Sequence, residues 1–151
     1  MLETTCDRLL QSVGGTLDAE AMGKLSSDAI TLIAYRMMRD EVMDGGFIQL
    51  IHNGLGPFIF LNPFAKAVRL WGQGTDDEEV LHALSKLIYK GRKLFEAYGD
   101  ALTRECTDEE FMALYEQYPQ FDDLDDEFVC CEEEFTTAME RHIPEGVAHP
   151  E

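Results

Sequence analysis

Between Glu105 and Glu145 the chain carries fifteen acidic side chains and one basic one, Arg141, which puts a net −14 of its formal −18 in one stretch. A run of like charge ordinarily stays unfolded, because the carboxylates repel and nothing offers burial. Here Leu124, Phe128, Cys131, Phe135, Met139 and Ile143 recur through the acids at helical spacing. A helix with an apolar stripe turned inward and carboxylates turned to solvent satisfies both demands. The segment is therefore expected to fold as a rigid acidic surface rather than an acidic tail.

The rest of the composition agrees with a folded chain. A hydrophobic fraction of 45% and nine Phe residues are too high for disorder. A length of 151 residues favours one domain with a real core. A pI near 4.4 excludes direct binding to DNA, RNA or an anionic membrane. No apolar run of about 18 residues is present to span a bilayer. The first residues, with Glu3 and Asp7, lack the basic start and apolar run of a signal peptide, so a cytoplasmic protein is expected. The four cysteines contain no CxxC pair, so reduced thiols are expected and no zinc site or other cofactor. Cys130 and Cys131 are expected to point to different helix faces.

Helix signals run the whole length. Leu2, Cys6, Leu9, Leu10 and Val13 mark a first helix, closed by Gly14-Gly15. Ser26-Ser27-Asp28 caps a second, expected to run to about Met43 and to break at Asp44-Gly45-Gly46. A further helix follows to Asn53-Gly54, and another opens with Asn62 as N-cap and Pro63 as its first residue. Thr75-Asp76-Asp77-Glu78 and Thr107-Asp108-Glu109-Glu110 read as capping boxes. A last helix is expected from about Asp122 to just before Pro144. The expectation is an all-α single domain over 1–143, a compact bundle of about six to eight helices, with a tail over 144–151.

Several chemistries fail on spacing. Asp122-Asp123-Leu124-Asp125-Asp126-Glu127 lacks the central glycine of a calcium loop. Glu79 and His82 form one Glu-x-x-His where a di-iron bundle needs two, so no metal site is expected. No nucleophile elbow, phosphate loop or HExxH is present.

The sharpest motif is Glu41-Val42-Met43-Asp44-Gly45-Gly46-Phe47-Ile48-Gln49, followed by His52-Asn53-Gly54. Physically it is helix, glycine elbow, helix, with Phe47 as a plug. It resembles the E-V-x-N-G-G-F-x-Q signature of the DNA mimic protein nineteen-like family of small bacterial proteins. Glu41, Val42, Gly45, Gly46, Phe47, Gln49 and Asn53 carry the match, and Asp44 and Leu50 depart from it. The similarity covers roughly Ile30 to Phe95. The resemblance implies an all-helical, non-enzymatic domain that presents carboxylates as phosphate surrogates to a basic DNA-binding protein, a transcription factor or a nuclease. The expected contact set is Asp108, Glu109, Glu116, Asp122, Asp123, Asp125, Asp126, Glu132, Glu133 and Glu134. Two rivals stand beside it. One is a small hydrolase or metal-dependent enzyme with Glu41, Gln49, His52 and Asn53 lining a pocket at the elbow. The other is a structural domain that forms a homodimer through Phe58, Ile59 and Phe60.

Overall fold

In the computed structural model residues 1–148 are described; the part of the expected tail over 149–151 lies outside them. Among the described residues the regular elements are all helices, and no strand is present. In chain order the helices are α1 (Leu2–Ser12), α2 (Ala19–Lys24), α3 (Ser27–His52), α4 (Gly56–Phe60), α5 (Phe64–Gly72), α6 (Glu78–Leu102), α7 (Asp108–Gln117), α8 (Gln120–Arg141) and α9 (Glu145–Ala148). The fold is all-α, as the periodicity predicts.

Three long helices make the frame: α6 packs on α5 and α8, and α8 packs on α3. Tyr35, Met38, Phe47, Ile48, Leu84, Phe121 and Phe128 are among the fully buried side chains between them. The greasy run at Phe58-Ile59-Phe60 forms α4, with Ile59 and Phe60 in the core and Phe58 half-buried. Its apolar character is thus used largely within the chain. Residues 145–148, expected as tail, make one helical turn that buries Val147 against the core.

Local capping follows the sequence with two exceptions. The Ser26 hydroxyl accepts the Ala29 amide, and Thr107 and Glu110 form a complete capping box at α7. At α5 the cap moves one residue, to Pro63, although the Asn62 carbonyl oxygen still accepts the Phe64 amide at 3.1 Å. At α6 the expected capping box does not form. Asp77 is the N-cap residue, but its carboxylate is turned to the far end of α8, accepting from Arg141 at 3.0 Å and His142 at 2.7 Å. Thr75 takes the Asp77 amide and Glu78 takes the Gly74 amide in its place.

This staple has a testable sign. The His142 ring, and then the Arg141 guanidinium, hold the Asp77 carboxyl below its ordinary value of 3.8. A depressed carboxyl stabilises the fold above the unfolded value, and that contribution is lost as pH falls through the lowered one. Asp77→Asn is therefore expected to lower the urea midpoint at neutral pH and to lose less than the wild type on acidification below about pH 4. Equal acid sensitivity in the two proteins would remove the staple's role.

Candidate functional site

The kink in α3 is the structural centre of the site. Gly46 sits at φ 79°, ψ −178°, a region open essentially to glycine alone, and the helix resumes after it in a new direction. A kink of this kind releases backbone groups from the helical ladder. Two side chains from the acidic segment collect them. The Asp125 Oδ1 of α8 accepts the Phe47 amide at 2.8 Å, and the Tyr115 hydroxyl of α7 donates to the Gly45 carbonyl at 2.6 Å. The elbow therefore holds both acidic helices. Phe47 is driven inward beside it, meeting Phe60 at 6.3 Å and Phe128 edge-on at 6.5 Å between ring centroids.

The remaining motif residues brace the elbow. Glu41 Oε2 accepts from Gln49 at 2.9 Å and from Asn53 at 3.0 Å, and Gln49 also donates to Asp44 at 2.9 Å. Val42 is buried. Glu41, Gln49 and Asn53 thus stand together, but His52 does not join them. Its Nδ1 is 2.8 Å from the Leu102 carbonyl oxygen, and its ring packs on Phe111 at 4.7 Å. It opens instead on a cleft with residues 103–107 and Glu110. The four side chains of the enzyme reading are not brought into one pocket. Glu79 and His82 are both exposed, and among the described residues no group of three or more His, Cys, Asp or Glu is placed to hold a metal ion.

The ten expected contact acids divide. Asp108, Glu109, Glu116, Asp122, Asp123, Asp126, Glu133 and Glu134 are exposed, and among the described residues none of these eight pairs with a cation. Asp125 and Glu132 stand apart from these eight. Asp125 is half-buried on the Phe47 amide, and Glu132 is paired with Arg39 at 2.8 Å, its side chain only 14% exposed. The helical wheel explains the split. At about 100° per residue, Asp122, Asp123, Asp126, Glu133 and Glu134 share an arc of about 120°. Asp125 and Glu132 fall instead beside the buried stripe of Phe121, Leu124, Phe128 and Phe135.

Burial pushes the Asp125 carboxyl up to about 6, and the neighbouring charges of Asp122 and Asp126 act in the same direction, against the lowering effect of the Phe47 amide. The Tyr115 hydroxyl is also raised, chiefly by burial and then by Asp125 and Asp44. Cys130 and Cys131, expected to face apart, bring their sulfurs to 3.3 Å. The contact with Cys130, with burial behind it, pushes the Cys131 thiol up to about 11.

Along α8 the five exposed, unpaired acids from Asp122 to Glu134 span about 18 Å of axis, or about 4–5 Å each. One strand of duplex DNA carries a charge every ~3.4 Å. The family model described as DMP19-like protein matches residues 23–145, which covers the elbow and both acidic helices. The chain belongs to the DMP19-like family. It is 30% identical over 144 residues to DNA mimic protein DMP19 of Neisseria meningitidis serogroup B (strain ATCC BAA-335 / MC58), a span covering 95% of this chain and 82% of that protein. In this DMP19-like chain the signature residues and the acidic helices are one mechanical unit, joined through Tyr115 and Asp125. Sequence reasoning missed Tyr115. The signal for Asp125 was its position four residues after Phe121 and three before Phe128, which turns it toward the core.

Proposed function

We propose that this protein is a non-enzymatic, cytoplasmic DNA mimic whose α7–α8 face occupies the DNA-binding surface of a transcription factor or nuclease. The observation that carries the reading is the set of eight exposed carboxylates without cation partners on two successive helices fixed by one elbow. The name of the 30% identical relative supports the same reading. Exposed carboxylates on a rigid frame offer what phosphates offer: long-range attraction for a basic surface and hydrogen-bond acceptance on contact.

The test is capture of a DNA-binding protein from a lysate of the source cell, eluted by salt. Wild type is compared with a variant in which Asp122, Asp123, Asp126, Glu133 and Glu134 become the corresponding amides. Asp125 is left intact because it holds the elbow. Five exposed ion pairs at ~0.3–1 kcal/mol each predict an affinity loss of roughly ten- to several-thousandfold. Capture that is insensitive to salt, or equal for both baits, would sink the reading.

A further inference from the structure

The acidic face is not uniformly convex. Between α7, the α3 elbow and α8 lies a crevice of about 470 Å³, lined by Val42, Asp44, Gly45, Gly46, Gln49, Phe111, Met112, Tyr115 and Asp125. Its walls are apolar and aromatic, and no Lys, Arg or His lines it. Two carboxylates enter it, each with one oxygen already used: Asp125 Oδ1 by the Phe47 amide and Asp44 Oδ2 by Gln49. Among the described residues neither Asp125 Oδ2 nor Asp44 Oδ1 receives a donor, and neither acid is in an ion pair. Aromatic rings beside open carboxylate oxygens, in a space of this size, fit a flat cation with an aliphatic stem.

We propose that this crevice is a socket for one arginine side chain of the partner protein. The proposal rests on the reading of the α7–α8 face as the partner surface and locates the strongest single contact within it. Arginine fits better than lysine. Its planar guanidinium can stack on Phe111 or Tyr115, sheds water more easily, and can donate to a free carboxylate oxygen. Arginine and aromatic contacts near the centre of an interface dominate binding energy, whereas rim charges mainly set approach and salt dependence. The exposed stripe of α8 steers the partner, and the crevice anchors it.

A distinctive acid dependence follows. The charged and titratable groups facing Asp125 are Asp122 and Asp126 from α8, Tyr115 from α7 and Asp44 from α3. None is a cation, so until a guest arrives the ionised form is favoured only by the Phe47 amide, which burial outweighs. An arginine in the socket holds Asp125 ionised, so its contribution fades as pH falls through about 6.

The probe is an acetylated, amidated peptide of four arginines, with affinity measured near pH 7.5 and near pH 5 for wild type, Asp125→Asn and the five-amide α8 variant. Asp125→Asn keeps an acceptor for the Phe47 amide. It is expected to bind about tenfold more weakly than wild type near pH 7.5 and to converge with it near pH 5. The side-chain signals of Phe111, Met112 and Tyr115 are expected to shift on binding. A gap of equal size at both pH values, or no gap, overturns the socket, the first because it marks a merely structural effect. Binding lost in the five-amide variant and unaffected by Asp125→Asn also overturns it, while leaving the acidic face as the partner surface. Socket binding of the peptide, with no DNA-binding protein captured from lysate, supports the socket and removes the mimic reading.

Discussion

Replacing Gly46 by alanine is expected to destabilise the fold by about 2–6 kcal/mol, read as a shift in the urea midpoint. Two independent effects add. The backbone at φ 79°, ψ −178° strains any residue with a Cβ, at about 1–3 kcal/mol. The new Cβ would also press on the Asp125 carboxylate, with Asp125 Cγ at 2.9 Å and Oδ2 closer still. Relieving that overlap means moving Asp125 off the Phe47 amide, which leaves a buried donor unpaired at about 1–3 kcal/mol. Gly45→Ala is the contrast. Gly45 is not among the positive-φ glycines, and of the atoms its Cβ would meet the Gln49 amide group can swing aside, while Gln49 Cβ at 2.9 Å requires only a small shift of the turn. Gly45→Ala is expected to cost no more than about 1 kcal/mol, because helix propensity gained offsets the lost Gln49 contacts. A double-mutant cycle of Gly46→Ala with Asp125→Ala separates the steric part from the backbone part. Full additivity would show that the carboxylate is not pressed against Gly46.

The second large effect is a pH-dependent gap between wild type and Asp125→Asn. Asp125 rises from 3.8 to about 6 in the fold. A carboxyl raised on folding stabilises the native state fully below its unfolded value, and that contribution is lost as pH rises through the folded one. The wild type should therefore lose stability relative to Asp125→Asn between about pH 4 and pH 7. Two pKa units correspond to about 3 kcal/mol, and solvent screening of this half-buried group reduces the expected gap to about 2 kcal/mol. Above that window Asp125→Asn should match or exceed the wild type, since its amide oxygen still accepts the Phe47 N–H. Denaturation of both proteins at several pH values checks this. A gap of the same size at every pH would mean that the Asp125 carboxyl is not raised on folding, and a variant that loses ground to the wild type as pH rises would mean that the ionised form is needed at the elbow.

What was legible in the sequence was whatever repeats over several turns. The apolar stripes of α1, α3, α6 and α8 are long enough to fix type and facing, and Gly46 announced the elbow as a glycine amid a helical pattern. Helices α2 and α4, with six and five residues, are too short for periodicity to register. The failed capping box at Thr75 has a long-range cause: Asp77 is claimed by Arg141 and His142, which only the packing of α8 on α6 brings near. In the acidic segment, charge was readable and allegiance was not. Asp125 and Glu132 look like their neighbours in composition, yet each sits three or four residues from buried phenylalanines and has a partner within the chain, the Phe47 amide for Asp125 Oδ1 and Arg39 for Glu132. Tyr115 was hidden for a similar reason, because its partner is a backbone carbonyl freed by a kink 70 residues away.

Helix α7 buries no residue completely. It is attached by the partly buried side chains of Phe111, Leu114 and Tyr115, by the tilted ring contacts of Phe111 on His52 and Tyr118 on Tyr98, and by the Tyr115 bond to Gly45. Segments with so little buried surface open locally at a small fraction of the global unfolding free energy. Helix α8, anchored by Phe121, Phe128 and Phe135, does not share that freedom. Of the two acidic helices α8 is thus the firmer, and on the proposed reading of this face as a partner surface α7 is the part expected to yield first, read as faster amide exchange in α7 than in α8.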